Sequence, residues 1–495
     1  MLAQFKRLGA DSLLYAFMNI GTKLIAFIML PIYTNFLPRE KYGLLTTIDT
    51  VTAMLTFLVI FGTDSALAFY YFETKEKDKK LEYVRNVMYF RLFIVGILGL
   101  LVLISGPLIS EMILGSSQHV DLLYLALGVL FVDSMVIVIL MVMRFDFKTK
   151  KVVIFTVGKM LLIAILSYIF LKYFVTSAEG ILLGRLVSVI LILVPLIITS
   201  SAYLKPKINF DSLKEIIKYA APLVPTSLAF WVIAYASIIF LGKFQSMEEV
   251  GVYGAATRLA TVITLLTSGV QMAWRPYSMS LKDKKDSPLL FSKIYLALLI
   301  IGIFGVMGIA TIMPFVIGIL GKEYYNAYQY VALISAATFL NFYYLIISVG
   351  LFFTKKTTTI SITFGMVAVI NTILNIVLIP KFSIWGAVAA YLIAYMVAII
   401  FIFRKSQQAY YVPVSFGKMA FLFLNMLIAV IAIIYVQEQG LNWIYIGGAW
   451  IYLIFITAAS RVDKISGVKH PKILFRMINA NIRQAIKYNL ISSSL

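Results

Sequence analysis

Residues 12–36, SLLYAFMNIGTKLIAFIMLPIYTNF, decide the fold class of this chain. The stretch is predominantly apolar over 25 residues, which is enough for a helix to cross the hydrocarbon core of a bilayer. A single cation, Lys23, lies near its middle, too deep to reach either membrane surface easily. Because an ionisable side chain inside a membrane is costly, it must face other helices or water. The stretch therefore predicts a membrane-spanning helix that lines a polar path.

Apolar runs of this length recur along the whole chain. Its 495 residues are 61% hydrophobic, and a mean hydropathy of +0.95 excludes a soluble globular protein. We predict an all-α integral membrane fold of about fourteen spans. They are placed at 12–36, 44–71, 87–107, 121–143, 152–174, 180–201, 217–241, 250–275, 289–314, 327–352, 358–379, 385–403, 415–436 and 441–460.

The basic residues predict the orientation of these spans. Lys and Arg number 43 against 22 acidic residues, and 31 of the 43 lie in the termini and in every second loop. Only 6 lie in the alternate loops. By the positive-inside rule both termini of this multi-pass protein are cytoplasmic. The charge then meets anionic membrane lipids rather than nucleic acid.

Several kinds of chemistry have no support in the sequence. Cysteine is absent, and the only histidines, His119 and His470, lie in predicted loops. No metal cluster, nucleophile constellation or Gly-rich nucleotide loop stands out, so we expect neither cofactor nor metal nor ATP. The first apolar run is too long for a cleavable signal peptide. The loops are short, which argues against a membrane enzyme such as a polymerase or ligase.

Two segments outside the spans have amphipathic character. In the connection 202–216, Ser212 and Glu215 stand at capping-box spacing, which predicts a short surface helix before the seventh span. The tail 461–495 carries apolar residues at helical spacing among basic ones. Either an amphipathic helix lies on the inner leaflet, or the tail is a partly disordered basic segment.

The two halves of the chain match each other weakly. A shift of 208 or 206 residues superimposes landmarks at equivalent turns: Phe36, Glu40 and Gly43 onto Phe244, Glu248 and Gly251, then Phe147, Lys150, Ser177 and Gly180 onto Phe353, Lys356, Ser383 and Gly386. Such repeats predict two six-helix lobes of parallel topology with a substrate path between them. The predicted domains are 1–206 (N-lobe), 207–410 (C-lobe), 411–460 (two further helices) and 461–495 (tail).

Ionisable residues inside the spans point to an anionic cargo. Six are basic and three are acidic: Lys23, Arg91, Lys159, Arg185, Arg258 and Arg275 against Asp49, Asp64 and Asp133. Charges within a membrane mark a pathway by default, and the excess of bases favours an anion.

Two motifs resemble those of a known family. Residues 30–43, LPIYTNFLPREKYG, resemble the first hairpin of Wzx-type oligosaccharide flippases, and residues 374–387, LNIVLIPKFSIWGA, resemble their eleventh-to-twelfth helix signature. Ser383 replaces the usual glycine of that signature. These flippases belong to the multidrug/oligosaccharidyl-lipid/polysaccharide exporter (MOP) superfamily. The resemblance implies a location in the bacterial cytoplasmic (inner) membrane. It also implies alternating-access transfer of an undecaprenyl-diphosphate-linked oligosaccharide from the inner to the outer leaflet, for surface polysaccharide biosynthesis.

The cations are the candidate contacts of a diphosphate head group. We expect Lys23, with Asn19 one turn before it, to face Arg258 across the path. Alternatively, Lys23 pairs with Asp133. Two more candidates, Arg185 and Lys159, lie within their spans, whereas Arg91 and Arg275 lie near cytoplasmic ends. Those two are either interfacial anchors or entry contacts for the head group.

Other polar residues have two interpretations each. The acids Asp49, Asp64 and Asp133 either couple transport to protons or sodium or neutralise the cations, and we favour neutralisation. The amides of Asn371 and Asn375 either bind sugar hydroxyls or hold helices together. Pro222 and Pro225 predict a bend in the seventh helix, either as a hinge or as a static kink.

The main alternative function is an ion-coupled multidrug exporter of the same superfamily. Cationic drugs favour an acidic or aromatic cavity, so the excess of bases argues against it. A polysaccharide polymerase is a candidate partner of the flippase. We expect a monomer, because alternating access fits within the two lobes.

Overall fold

A computed structural model describes residues 2–460 except 206, 283 and 285, without the side chains of residues 2–13, 16, 204, 272 and 276. The predicted amphipathic tail, 461–495, lies outside the described residues. In the described part every regular element is a helix. The α-helices, in chain order, are Leu2–Phe36 (α1), Arg39–Ile60 (α2), Thr63–Glu73 (α3), Lys77–Leu114 (α4), Val120–Phe145 (α5), Thr149–Tyr173 (α6), Ala178–Ser200 (α7), Phe210–Ala220 (α8), Val224–Phe244 (α9), Met247–Ala260 (α10), Ile263–Ser280 (α11), Ser287–Val316 (α12), Tyr328–Ile347 (α13), Val349–Phe353 (α14), Thr357–Ala409 (α15), Phe416–Glu438 (α16) and Trp443–Ala459 (α17).

The helix lengths confirm the all-α membrane fold. In the described residues 11 helical segments are long and apolar enough to span a bilayer, and the pair α10 and α11, bent by 48°, makes a twelfth. One of these segments, α15, has 53 residues and contains two of the predicted spans. The second arm of α15 gives a thirteenth span, and the shorter apolar helix α17 gives a fourteenth. The described helices therefore match the fourteen predicted spans.

The two arms of α15 meet at Ser383. Its φ of 48° and ψ of −127° are unfavourable for a residue with a side chain, which explains why glycine suits this position. The Ser383 hydroxyl donates a hydrogen bond of 3.0 Å to Glu249 in the first turn of α10. The serine therefore links the break in α15 to α10.

Two predicted spans are interrupted in the structure. The predicted span 44–71 divides into α2 and α3 at Phe61 and Gly62, both with positive φ. A Cβ on Gly62 would lie 2.8 Å from the carbonyl oxygen of Ala220, so only glycine permits this approach. The predicted span 250–275 divides into α10 and α11 after Ala260. Both predicted spans are therefore present, each with a break in its helix.

The predicted surface helix before the seventh span is present as α8, but its cap differs from the prediction. Asn209, not Ser212, caps it, accepting hydrogen bonds from the backbone N–H groups of residues 211 and 212. The Ser212 hydroxyl instead accepts a 2.7 Å hydrogen bond from Lys79 of α4. Of the proline pair, Pro222 lies in the 3₁₀ turn Ala221–Leu223, which separates α8 from α9, and Pro225 lies in the first turn of α9.

The turns on one side of the bundle show the internal repeat. We call this the basic side, defined by the turns 74–76, 146–148 and 354–356; the opposite side has the turns 37–38, 174–177 and 245–246. Phe147 and Lys355 both have positive φ, 56° and 57°, with the same hydrogen-bonding pattern in the backbone. The equivalent turns therefore align at 208 residues rather than at the predicted 206.

An ionic cluster fixes the turn 146–148. Tyr71 of α3 donates a 2.6 Å hydrogen bond to Asp146 Oδ1, and Lys148 donates one of 2.7 Å to Oδ2. Burial raises the pKa of Asp146, but these hydrogen bonds, led by that from Lys148, outweigh it and hold the pKa below its usual value.

Buried apolar residues form two separate clusters. We name α1–α7 the N-lobe and α9–α15 the C-lobe. One cluster joins the core of the C-lobe to the half of the N-lobe on the opposite side, including residues 29–48. The second lies in the basic-side half of the N-lobe, from Ala66 and Val87 to Leu196, and includes Ile216 of α8 but no described residue of the C-lobe. The lobes are thus packed together on the opposite side, while their cores separate toward the basic side.

Candidate functional site

The lobes cross where α2 meets α10, at two glycines that the repeat makes equivalent. A Cβ on Gly43 would lie 1.8 Å from the carbonyl oxygen of Met247, and one on Gly251 would lie 2.2 Å from that of Arg39. The 208-residue offset relates these contacts, since it maps Arg39 onto Met247 and Gly43 onto Gly251. The close approach of two backbones explains why the repeat motif has a glycine near the start of both helices.

Polar contacts close the path on the opposite side of this crossing. The backbone N–H of Arg39 donates to Glu323 (3.3 Å), and its Nη2 donates to Asn326 (3.2 Å). Asn35 Nδ2 donates to the carbonyl of Ile319 at 3.0 Å. We call these five residues the seal, because they join the first turn of the N-lobe to the loop between α12 and α13.

Aromatic residues lie directly behind the seal. Tyr324, fully buried, donates a 2.9 Å hydrogen bond to the carbonyl of Leu37 and packs edge-on against the ring of Tyr42. On the other side of Tyr42 lies the guanidinium of Arg258, 5.9 Å from the ring centroid. Tyr42 thus separates the seal from a group of charges.

This group is the triad, formed by Asp49, Arg185 and Arg258. Asp49 Oδ2 accepts hydrogen bonds from Arg258 Nη2 (2.6 Å) and Arg185 Nη2 (3.2 Å), and Oδ1 accepts one from Arg185 Nη1. Arg185 and Asp49 belong to the N-lobe, whereas Arg258 belongs to the C-lobe. In the described part of the chain, Asp49–Arg258 is the one side-chain ion pair that joins the lobes. The triad keeps a formal charge of about +1.

The triad lies near mid-depth in the spans. Asp49 is ten residues into α2 and Arg258 eleven residues into α10, which at 1.5 Å per residue places both about 15 Å from the opposite side. That is about half of the hydrocarbon thickness. The three side chains are only 18 to 30% exposed, so they lie at the boundary between the packed and the open parts of the lobe contact.

The remaining intramembrane acids also hold cations. Lys159 Nζ lies 2.7 Å from Asp133 Oδ1, so the predicted alternative pair of Lys23 with Asp133 is not formed. Arg91 pairs with Asp64 at the start of α3. Each of the three acids therefore has at least one basic partner, an arrangement in keeping with charge neutralisation.

Arg91 differs from both of its predicted roles. Its side chain is 1% exposed, and its Nε and Nη2 donate to Thr63 Oγ1 at 3.0 and 2.7 Å. The expected interfacial anchor is instead a buried support for the break between α2 and α3. In this conformation it has no accessible surface with which to receive a ligand.

Two of the six intramembrane cations, Lys23 and Arg275, have no acidic partner among the described residues. Lys23 is exposed on α1, while the neighbouring Asn19 is half-buried, with its backbone carbonyl accepting a 3.0 Å hydrogen bond from Thr22. Arg275 of α11 is also exposed, with its guanidinium 4.5 Å from the ring centroid of Phe352. Both are therefore accessible to an anion in this conformation.

The two asparagines of α15 lie in helix contacts. Asn371 and Asn375 are fully buried. Asn375 donates to Asn371 Oδ1 at 3.0 Å and accepts from Ser237 of α9 at 2.9 Å, and Asn371 donates to the carbonyl of Ala390 at 3.3 Å. This geometry favours the helix-packing alternative over contact with sugar hydroxyls.

Sequence reasoning missed the contacts that close the path. It did not assign Asp49 to Arg258, nor did it single out Tyr42 or Glu323. One signal was available in the repeat. The 208-residue offset maps Thr50 onto Arg258, which places Asp49 at nearly the same depth in the N-lobe as Arg258 in the C-lobe. The described residues contain no group of three or more His, Asp or Glu side chains that could hold a metal ion.

Comparisons with known proteins agree with this architecture. Residues 8–282, more than half of the chain, match the model of a family described as polysaccharide biosynthesis protein. No curated protein sequence matches the chain significantly. Among solved structures, the Lipid II flippase MurJ, in an inward closed conformation, is similar with a TM-score of 0.66 and 16% identity, over 90% of this chain and 98% of that one.

Two solved structures described as a multidrug resistance MATE family transporter of the MOP superfamily share the fold as well. An inward-facing conformation gives a TM-score of 0.56 at 16% identity, over 78% of this chain and 93% of that one. An outward-facing conformation gives 0.51 at 17% identity, over 81% and 94%. The predicted MOP fold is therefore confirmed, whereas the Wzx assignment stays a prediction.

Proposed function

The chain belongs to the polysaccharide biosynthesis protein family, and from this premise we propose that it is a lipid-linked oligosaccharide flippase. Its substrate is an undecaprenyl-diphosphate-linked oligosaccharide, which it moves from the inner to the outer leaflet of the cytoplasmic membrane. The basic side is cytoplasmic, as are both termini. The protein acts as a monomer, and a polysaccharide polymerase is a candidate partner for the product.

The observation that carries the proposal is the excess of positive charge among the intramembrane residues. Asp49 neutralises only one of the two arginines in the triad, and Lys23 and Arg275 have no acidic partner among the described residues. A cationic drug would be repelled by this set of charges, whereas a diphosphate would be attracted. Arg is also the side chain best suited to hold phosphate oxygens.

The geometry supports a direction of entry. The lobes are packed on the opposite side and separate toward the basic side, so the head group enters from the cytoplasm. Arg275 and Lys23 are the exposed cations that it meets, and the triad at mid-depth is the end of the open part. The apolar tail stays in the lipid, because there its surface remains out of contact with water. The lobes then pack on the basic side while the seal parts, which completes alternating access.

An ion-coupled multidrug exporter is the second candidate, because two structures described as a MATE family transporter share the fold. Proton or sodium coupling would use the acids Asp49, Asp64 or Asp133. On the flippase proposal these acids neutralise cations instead. The two candidates differ in what accumulates when the protein is missing.

Lipid extraction from a deletion strain tests the proposal. We expect one diphosphate-linked oligosaccharide to accumulate and to be identified by mass spectrometry. The wild type should clear it, but Lys23→Ala should not, because the variant lacks an exposed cation of the path. Lys243→Ala is the matched control, since Lys243 is an exposed lysine at the end of α9 on the opposite side. Absence of the lipid, or full clearance by Lys23→Ala at normal protein levels, would contradict the proposal.

A further inference from the structure

The triad already contains an anion at the place where the proposed head group would bind. Asp49 accepts hydrogen bonds from both terminal nitrogens of Arg185, in its own lobe, and from Nη2 of Arg258, in the other. Guanidinium groups that converge on a two-oxygen anion are also the arrangement that holds phosphate oxygens. The carboxylate of Asp49 therefore fills an anion site that its own chain provides.

We propose that Asp49 is an internal counter-anion, which holds Arg258 until the diphosphate of the substrate takes its place. The inference rests on the proposed function, because it names the group with which the head group competes. In the exchange, a diphosphate oxygen replaces Asp49 Oδ2 on Arg258, and no covalent bond changes. Asp49 keeps its hydrogen bonds to Arg185.

The exchange leaves no charge stranded. Breaking a buried ion pair is expensive when one charge is left without a partner. Here Arg258 passes from one anion to another, while Asp49 remains paired with Arg185. Arg258 is 30% exposed, and of its side-chain nitrogens only Nη2 donates a hydrogen bond to the described residues. Its other N–H groups can therefore take the first oxygen of the diphosphate before Asp49 leaves.

The exchange also couples loading to opening. The Asp49–Arg258 pair is the described ion pair that joins the lobes, and it lies directly behind Tyr42 and the seal. When the head group takes Arg258, the contact between α2 and α10 loses this link. Loading from the basic side therefore favours separation of the lobes on the opposite side, whereas the empty protein stays closed there.

Thiol accessibility tests the link between the lobes. The chain contains no cysteine, so a single introduced one needs no background removal. Thr34 is 3% exposed, and its carbonyl contacts the C-lobe where a Cβ on Gly321 would lie 2.2 Å away. We would place Thr34→Cys in the purified full-length protein in detergent and measure its rate of labelling by a hydrophilic thiol reagent. Detergent removes any dependence on the proposed orientation.

Asp49→Asn should raise this rate by about tenfold, since it keeps the shape of the side chain but removes the charge that holds Arg258. The matched control is Asp133→Asn, because the Asp133–Lys159 pair lies within the N-lobe. Asp49→Glu, which keeps the charge, should label closer to the wild type than Asp49→Asn does. If Asp49→Asn is poorly folded by size-exclusion chromatography, Arg258→Gln breaks the same pair from the other lobe and should also raise the rate. An unchanged rate, or an equal rise in Asp133→Asn, would overturn the link.

Binding of undecaprenyl diphosphate tests the competition itself. Asp49→Asn should bind this lipid about tenfold more tightly than the wild type, with the lipid alcohol undecaprenol as a probe that lacks the diphosphate. The lipid diphosphate should also raise the labelling of Thr34→Cys in the wild type. If the wild type binds the lipid diphosphate and Asp49→Asn binds it no more tightly, the competition is refuted while the proposed function stands. If the wild type binds neither probe, the proposed function and the exchange fail together, whereas the labelling result still decides the link.

Discussion

Replacing Gly43 by alanine is expected to force the lobes apart at their crossing. The new Cβ would lie 1.8 Å from the carbonyl oxygen of Met247 and 3.1 Å from the backbone nitrogen of Gly251. Cβ contacts with other heavy atoms essentially never fall below 3.0 Å. Because both neighbours are backbone atoms of α10, no side chain can rotate away, and the helices must separate by more than an ångström.

The size of the effect follows from the cost of overpacking. Inserting a methyl group into a well-packed contact typically costs about 1–3 kcal/mol, which lowers the population of the closed state by about 5-fold to 150-fold relative to an open one. The Thr34→Cys reporter measures this population through its labelling rate. Since the crossing lies beside the seal, the rate should rise by a factor within that range. Thermal unfolding in detergent should show a lower midpoint as well.

A matched glycine distinguishes this effect from a general response to alanine. Gly308 lies inside α12, and a Cβ there would meet no heavy atom within 4 Å. Gly308→Ala should therefore be neutral or more stable by about 0.5–1 kcal/mol, as expected for a helix interior. The reasoning about the crossing is refuted if Gly43→Ala labels and unfolds like Gly308→Ala.

Three further predictions concern stability. Ser383→Gly should be more stable to unfolding than Ser383→Ala by about 1–2 kcal/mol, because both lose the hydroxyl but only glycine fits a φ of 48°. Thermal unfolding should show this as a higher midpoint temperature. Asp146→Asn should lower the midpoint at neutral pH, since the lowered pKa of Asp146 stabilises the fold above the unfolded pKa; thermal melts at falling pH should show this difference vanish as the pH passes through the lowered pKa. Asn375→Leu should lower the free energy of unfolding by about 1–3 kcal/mol, because it leaves the buried Oδ1 of Asn371 without its side-chain donor. The lipid extraction should show clearance in proportion to the amount of folded protein.

The sequence was sufficient to predict the spans because their signal is local. A run of about 20 apolar residues needs a membrane whatever its neighbours are, and the repeat fixed the pairing of equivalent helices such as those that begin near Glu40 and Glu248. The breaks depend on tertiary contacts instead. Gly62 permits the approach of Ala220, which is distant in sequence. At the other break, α10 ends at Ala260 and the next residue is Thr261, so neither a glycine nor a proline marks this helix end in the sequence.

The composition of the site was predictable, but its pairing was not. Each intramembrane cation and acid could be found from its position inside an apolar run. Which acid meets which cation depends on how the helices rotate and cross, and a rotation of one residue, about 100°, moves a side chain to another face. The sequence therefore left a pair of Lys23 with Asp133 open as an alternative, whereas in the structure Asp133 pairs with Lys159 and Lys23 is exposed.

The acids between the cations have a physical reason on the proposed mechanism. A path lined by arginines alone would hold a diphosphate tightly, but transport requires that the cargo also leave. An acid beside a binding cation lowers the net gain of binding, because a bond from that cation to the diphosphate replaces one to a carboxylate. Asp49 does so between the lobes, where its return to Arg258 both displaces the head group and restores the contact that closes the opposite side. Release and resetting then follow from the same ion pair, without a nucleotide to drive either step.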